Sequence, residues 1–281
     1  MQVLETIAEM RAARRGLTSL GLVPTMGFLH AGHISLVERA KAECGAVAVS
    51  IFVNPTQFGP TEDLSRYPRD LPRDLAMLEA AGVELVFTPQ PAEIYPPGFS
   101  TRVEVGAVAG PLEGASRPGH FAGVATVVAK LFNIVQPTRA YFGQKDAQQS
   151  VVIRRMTRDL DLPVEVVVAP TVREADGLAL SSRNAYLTPE QRTAAPVLFR
   201  ALSKAQASFT LGERNAETLR NAMRDVIANT PEAEVDYVSL ADPDTMEELV
   251  RIDTRALASL AIRFGHTRLI DNLLLEETAR L

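Results

Sequence analysis

Two histidines three residues apart, His30 and His33, stand in the run Leu22-Val23-Pro24-Thr25-Met26-Gly27-Phe28-Leu29-His30-Ala31-Gly32-His33-Ile34. Leu22 and Val23 end a short apolar stretch with strand character, and Pro24, with no N–H for a sheet ladder, is expected to stop it. Met26 to Gly32 contains two glycines, which let a backbone approach a ligand closely. Ile34, Leu36, Val37 and Ala40 then follow as a helix. Two imidazoles at this spacing share one helix face. The first turn beneath them offers unpaired N–H groups and the positive end of the helix dipole. The chemistry this suits is the cradling of phosphate. Two other readings of the same residues stay open: one histidine caps the helix while the other lies at the surface, or the pair ligates a metal. Zinc takes three or four ligands, whereas Cys44 is the only cysteine and no acidic cluster lies nearby in sequence.

Three further stretches place polar groups just beyond strand-like runs. Asn54-Pro55-Thr56-Gln57-Phe58-Gly59-Pro60 follows the apolar run Ala46–Val53, at the sheet edge where open α/β folds bind ligands; it also reads as a plain turn. Gly143-Gln144-Lys145-Asp146-Ala147-Gln148-Gln149 follows Arg139–Phe142 and carries a lysine, a mobile point charge for phosphate or an ordinary solvated one. Thr171 to Arg183 ends in Ser181, Ser182 and Arg183, which read either as an anion clamp or as a capped loop with a surface arginine. Arg117 and His120 are two more possible anion donors ahead of a helical run over Gly119–Val135. No Gly-x-x-x-x-Gly-Lys-Ser/Thr motif occurs, which disfavours P-loop chemistry.

Strand, helix and strand over residues 20–53 make a βαβ unit, and a continuous apolar strand suits a parallel sheet buried on both faces. Helices are expected over Val3–Arg15 and Leu75–Ala81, after the Gly143–Gln149 stretch to about Leu160, and over Ala194–Ser208 and Ala216–Asn229. Further strands are expected at Glu84–Thr88, Val164–Val168, Val235–Leu240, Leu257–Arg263 and Thr267–Ile270, with an edge strand at Thr101–Val105. The fold class is therefore α/β, a parallel-sheet domain over 1–175 followed by a smaller α+β domain over 176–281. The 281 residues, 46% of them hydrophobic, suffice for such cores. A net charge of −5 without a basic run argues against nucleic acid as a partner. One cysteine, no signal-like N-terminus and no membrane-length apolar run point to a cytoplasmic protein without membrane association.

The motifs together resemble the pantothenate synthetase (pantoate–beta-alanine ligase) family. The matching pieces are Pro24-Thr25-Met26-Gly27 with Leu29-His30 and Gly32-His33, Phe52-Val53-Asn54-Pro55 with Gln57-Phe58, and Tyr67-Pro68-Arg69. They continue with Arg117-Pro118, His120-Phe121-Ala122-Gly123, Phe142-Gly143 with Lys145-Asp146 and Gln148-Gln149, Pro170 to Glu174, Asp176 to Ala179, Ser181 to Asn184, and Thr267-Arg268-Leu269-Ile270-Asp271-Asn272. His-x-Gly-His alone marks only a wider nucleotidyl-transferase superfamily.

The resemblance implies a Rossmann-like ATP domain with a smaller C-terminal domain, and a homodimer that joins pantoate to β-alanine, with ATP as substrate and Mg²⁺, through a pantoyl adenylate. By position it assigns ATP to Met26, Gly27, Phe28, Leu29, His30, Ala31, Gly32 and His33, to Gly143, Gln144, Lys145 and Asp146, and to Val172, Leu180, Ser181, Ser182 and Arg183. It assigns pantoate to Gln57 and Gln149, and β-alanine to Gln57, Asn54, Tyr67 and Arg117. Asp74 is assigned to Mg²⁺, and His33, His30, Lys145 and Arg183 to catalysis. The family treats the histidine at His33 as a proton donor; with magnesium-bound pyrophosphate leaving, a hydrogen-bond donor suffices, and that is the role expected here. Leu180 stands where methionine is common, a swap of similar volume, and Arg73 where an acid can occur. Rival readings are an AMP or CMP transferase of the wider superfamily, which needs no amine, and a nucleotide-binding protein without turnover.

Overall fold

The structure is a computed structural model that describes residues 1–60 and 62–277. Its strands are β1 (Gln2–Leu4), β2 (Leu20–Thr25), β3 (Ala46–Ile51), β4 (Leu85–Phe87), β5 (Arg139–Gly143), β6 (Glu165–Ala169), β7 (Glu234–Ala241), β8 (Arg255–Phe264) and β9 (Thr267–Glu276). Its helices are α1 (Ile7–Ala13), α2 (Ala31–Glu43), α3 (Leu71–Ala80), α4 (Pro91–Ile94), α5 (Glu113–Ser116), α6 (His120–Val135), α7 (Ala147–Asp159), α8 (Pro189–Ala194), α9 (Val197–Thr210) and α10 (Ala216–Ala228).

Contacts divide the chain into two units, residues 1–144 with 152–170, and residues 145–151 with 171–281. The segment 145–151, placed with the first domain by the sequence boundary at 175/176, thus groups with the second unit.

The first unit is built on a six-stranded parallel sheet in the order β1-β4-β3-β2-β5-β6. Strand order reverses between β2 and β5, so the loops leaving those two strands diverge, the usual position of a ligand crevice. Val23, Val47, Val49 and Val86 of the sheet pack with Val37 and Ala40 of α2 and with Tyr141 in one core. The second unit is an antiparallel sheet, β7-β8-β9. Leu198 and Leu202 of α9 and Met223 and Ile227 of α10 bury against its Leu260 and Ile262.

Four expectations change. Pro24 does not end its strand: β2 runs to Thr25 in register with Ile51. Phe52 N–H donates to Thr25 O, so the polar groups of Thr25 face β3 and those of Pro24 face the other way, where pairing with β5 has ended at Leu22. The missing N–H therefore costs no ladder bond. Residues 3–15 are not one helix. Val3 lies in β1, and α1 starts after Thr6, which forms a capping box with Glu9. Residues 101–105 alternate in sequence but form no strand; the N–H of Val103 is met by Thr126 Oγ1. Helix α3 begins at Leu71, earlier than expected, because Asp70 caps it and Pro occupies its first turn.

Candidate functional site

In the first unit, the turn between β2 and α2 needs unusual backbone. Gly27 and Phe28 have φ of 83° and 52°, the left-handed region. Such a turn persists only if something holds it. Asp74, on α3, does so: Oδ2 accepts the N–H of Phe28 at 2.7 Å and Oδ1 that of Leu29 at 2.8 Å. Asp74 is 1% exposed. This carboxylate was expected at magnesium. Each oxygen already takes a short N–H bond, and its observed work is to fix the turn. Among the described residues no cluster of three or more His, Cys, Asp or Glu gathers to hold a metal.

The histidines come next. His30 is the N-cap of α2, and its Nδ1 accepts from Gly32 N–H at 3.2 Å. His33 Nδ1 accepts from His30 N–H at 3.3 Å, which completes a capping box made of two imidazoles. The ring centroids are 4.1 Å apart. Because Nδ1 is the acceptor in both, each neutral ring carries its proton on Nε2. The capping and the anion-donor readings of the sequence are therefore not exclusive: one nitrogen caps while the other carries the N–H.

Beyond β3, Asn54 is 1% exposed and fully engaged. Its Oδ1 accepts from Thr56 and, at 2.8 Å, from Tyr95 Oη. Its Nδ2 donates to Gln57 Oε1 and to Gly123 O, both at 3.1 Å. Asn54, expected at β-alanine, thus shapes the Pro55–Gln57 turn. Tyr67, also expected there, is a buried ring set edge-on to Phe58. Gln57 reaches Met26 Sδ with Nε2 at 3.0 Å, so the two ligand loops of this unit touch. α6 passes so close to the turn that a Cβ on Gly123 would lie 2.3 Å from Thr56 O.

Arg117 forks onto Glu62, with Nε–Oε1 2.9 Å and Nη2–Oε2 2.5 Å. Its Nη1 lies 3.0 Å from His120 Nε2, and His120 Nδ1 lies 2.8 Å from Gln57 O. A carbonyl only accepts, so Nδ1 carries the proton and Nε2 accepts from Arg117. Burial, and then the Arg117 charge, pushes the His120 pKa down to about 4. His120, read in the sequence as an anion donor, is a neutral acceptor that orients Arg117. Gln57 and His120 also line a cavity of about 400 Å³ with Tyr95, Phe99 and Arg102.

In the second unit, Lys145 lies in a 3₁₀ turn over Gln144–Asp146, with Nζ 3.6 Å from Asp146 Oδ1. Its main-chain oxygen accepts from Asn272 Nδ2 at 2.9 Å. Gln148 and Gln149 follow in the first turn of α7, and Gln148 is buried. Val172 and Leu180 face each other in a short hairpin, Leu180 N–H to Val172 O at 3.0 Å, closed at Gly177 with φ of 93°. The hairpin delivers Ser181, whose Oγ caps the turn holding Ser182 and Arg183. Arg173 is anchored on Asp271 by two bonds of 2.6 and 2.9 Å and lies over the Phe199 ring at 4.2 Å. Burial pushes the Asp271 carboxyl up, and Arg173 draws it back.

The structure thus places Met26–His33, Gln57, Asn54, Asp74 and Arg117 in the first unit, linked through Met26–Gln57 and Gln57–His120–Arg117. It places Lys145, Asp146, Gln149, Val172 and Leu180–Arg183 in the second. Sequence reasoning missed Glu62 and the acceptor role of His120. It matched Asp271-Asn272 without finding work for them.

A family model described as Pantoate-beta-alanine ligase matches residues 2–274. A pantothenate synthetase of Herpetosiphon aurantiacus is 65% identical over 98% of this chain and 100% of its own length. One from Moorella thermoacetica is 56% identical over 98% of this chain and 99% of its own. The solved pantothenate synthetase of Thermus thermophilus superposes with a TM-score of 0.95 at 53% identity, covering 99% of this chain and all of its own. A pantoate-beta-alanine ligase from Francisella tularensis, complexed with beta-gamma ATP and beta-alanine, gives 0.81 at 38% identity over 99% of both chains.

Proposed function

The chain belongs to the pantoate-beta-alanine ligase family, and from that premise we propose that it condenses pantoate with β-alanine, converting ATP to AMP and pyrophosphate. A carboxylate oxygen of pantoate attacks the α-phosphorus; the new O–P bond forms as the bond to the β-phosphate oxygen breaks and pyrophosphate leaves. The amine of β-alanine then attacks the acyl carbon. The acyl C–O bond breaks, AMP departs with the electron pair, and the nitrogen loses a proton to solvent.

Adenylation spreads negative charge over phosphate oxygens, so the protein's contribution is positioning and donors aimed at that charge. Met26 to His33, Gly143 to Asp146, Val172 and Leu180 to Arg183 are assigned to ATP. His30, His33, Lys145 and Arg183 stabilise the charge. Gln57 and Gln149 hold pantoate; Gln57 and Arg117 serve β-alanine, with Asn54 and Tyr67 supporting that end from behind. The observation that carries the reading is the double imidazole cap, which fixes two Nε2–H donors at one helix start. His33 acts in it as a hydrogen-bond donor. Magnesium, expected with ATP, would be held by phosphate oxygens and water, with Asp74, which also holds the loop, as the acid on that side. A homodimer in the cytoplasm is part of the proposal; among the described residues no helix is long and apolar enough to cross a membrane.

The test is isotope exchange. Protein, ATP, Mg²⁺ and labelled pyrophosphate are incubated with or without pantoate, β-alanine omitted. Label should enter ATP only with pantoate, and added β-alanine should then yield pantothenate and AMP together. ATP binding without exchange would leave a nucleotide-binding protein, and exchange with a different acid would replace the substrate.

A further inference from the structure

Thr267 to Asn272 matches the family pattern, yet none of these residues takes part in the reaction just described. Asp271 and Asn272 lie on β9, opposite Leu260 and Ser259 of the paired strand β8. Both are buried, 2% and 4% exposed. Their hydrogen bonds run to the two second-unit segments assigned to ATP. Asn272 Nδ2 donates to the main-chain oxygen of Lys145 at 2.9 Å. Asp271 takes the Arg173 fork, and its Oδ1 also accepts the N–H of Asn272 at 2.8 Å. Arg173 in turn donates to Gly177 O at 3.1 Å and to Asn272 O at 3.4 Å. It therefore braces the hairpin that ends at Ser181, Ser182 and Arg183.

We propose that Asn272 is a positioning residue for Lys145, acting through the lysine's main-chain carbonyl, and that with Asp271 it registers Lys145 against the Ser181–Arg183 segment. The inference rests on the assignment of Lys145 to the adenylation step. The physics is that of a flexible side chain on a short turn. Lysine carries four rotatable methylenes, so its ammonium can be aimed only if its own backbone is fixed. A 3₁₀ turn has poor internal hydrogen bonds, and the amide of Asn272 supplies an external one. Two buried residues on a sheet form a more rigid support than a loop would.

The experiment compares Asn272→Asp with the parent in pantoate-dependent pyrophosphate exchange. Aspartate keeps the size and shape but has no amide N–H to give. Positioning predicts that kcat for exchange falls about ten- to a hundredfold, the cost of a misplacement near 1 Å, with the KM for pantoate little changed. The same substitution in a Lys145→Arg background should cost under about threefold, because coupled residues are not additive. Asn272→Ala, which adds no buried charge, is read in the same way if the aspartate does not fold. An Asn272 variant that exchanges like the parent overturns the proposal, and so does one whose loss multiplies fully in the Lys145→Arg background. A parent without exchange would instead overturn the functional reading.

Discussion

Replacing Asp74 by asparagine tests whether one buried carboxylate holds the β2–α2 turn. Both oxygens accept main-chain N–H groups, at 2.7 and 2.8 Å, in a side chain 1% exposed. Asparagine offers one acceptor and one NH₂ group, so one N–H faces a donor and the surviving bond loses its charge. Bonds to charged groups contribute about 1.5–3 kcal/mol each, and an unsatisfied buried donor costs about 1–3 kcal/mol. A loss near 3 kcal/mol is expected, and the left-handed Phe28 adds its own tendency to relax. Released locally, 3 kcal/mol is about a hundredfold in an opening equilibrium. Hydrogen exchange at the Phe28 and Leu29 amides should therefore quicken by about that factor, alongside weaker ATP binding. Exchange at both amides within threefold of the parent, with ATP affinity unchanged, would refute the idea that Asp74 holds the turn.

Other outcomes follow from the same geometry. His33→Asn keeps an acceptor for the His30 N–H and an N–H donor, so pyrophosphate exchange should stay within about tenfold of the parent; a loss as complete as in His33→Ala would restore obligatory proton transfer. Gly123→Ala drives a Cβ to 2.3 Å from Thr56 O, and should cost about 1–3 kcal/mol and raise the KM for pantoate through Gln57, as steady-state kinetics would show. Because His120 has its folded pKa lowered to about 4, the unfolded chain takes up a proton near pH 6.5 that the folded one refuses. Stability should fall as pH drops from 6.5 toward 4, by up to roughly 3 kcal/mol; urea titrations of the parent and His120→Gln at pH 7, 5.5 and 4.5 should show that slope only in the parent.

Period and punctuation made the parallel sheet legible. The apolar run at Ala46–Val53 and the apolar residues recurring from Ile34 to Ala40 led directly to β3 and the first crossover. What escaped was set by partners distant in sequence. Residues 101–105 alternate like a strand, but among the described residues no strand pairs with them, and the N–H of Val103 goes to a side chain instead. Pro24 looks like a stop until it is known that β5 pairing ends before it. At the site, the His30–His33 spacing signalled a ligand loop, yet the Nδ1 bonds that fix the tautomers depend on where the helix starts. Asp74 entered only through the resemblance, and its place as a buried turn clamp was not legible, because the turn it holds lies 45 residues upstream in sequence. Asn54 and Tyr67 show the same limit: their types suit ligand contact, and nothing local in the sequence shows the buried partners they meet at Gly123, Tyr95 and Phe58.

The bond from Asn272 to Lys145 spans 127 residues of sequence, which has a bearing on synthesis. A growing chain finishes β5 and the lysine long before the ribosome reaches β9. Until then the carbonyl of Lys145 lacks its partner, and Arg173 lacks Asp271. Nascent chains that have completed the parallel sheet are thus expected to hold its histidine turn in place while the lysine turn is still loose. Competence for adenylation would arrive with β9, so prematurely terminated chains would be poor at making a reactive acyl adenylate that water could waste.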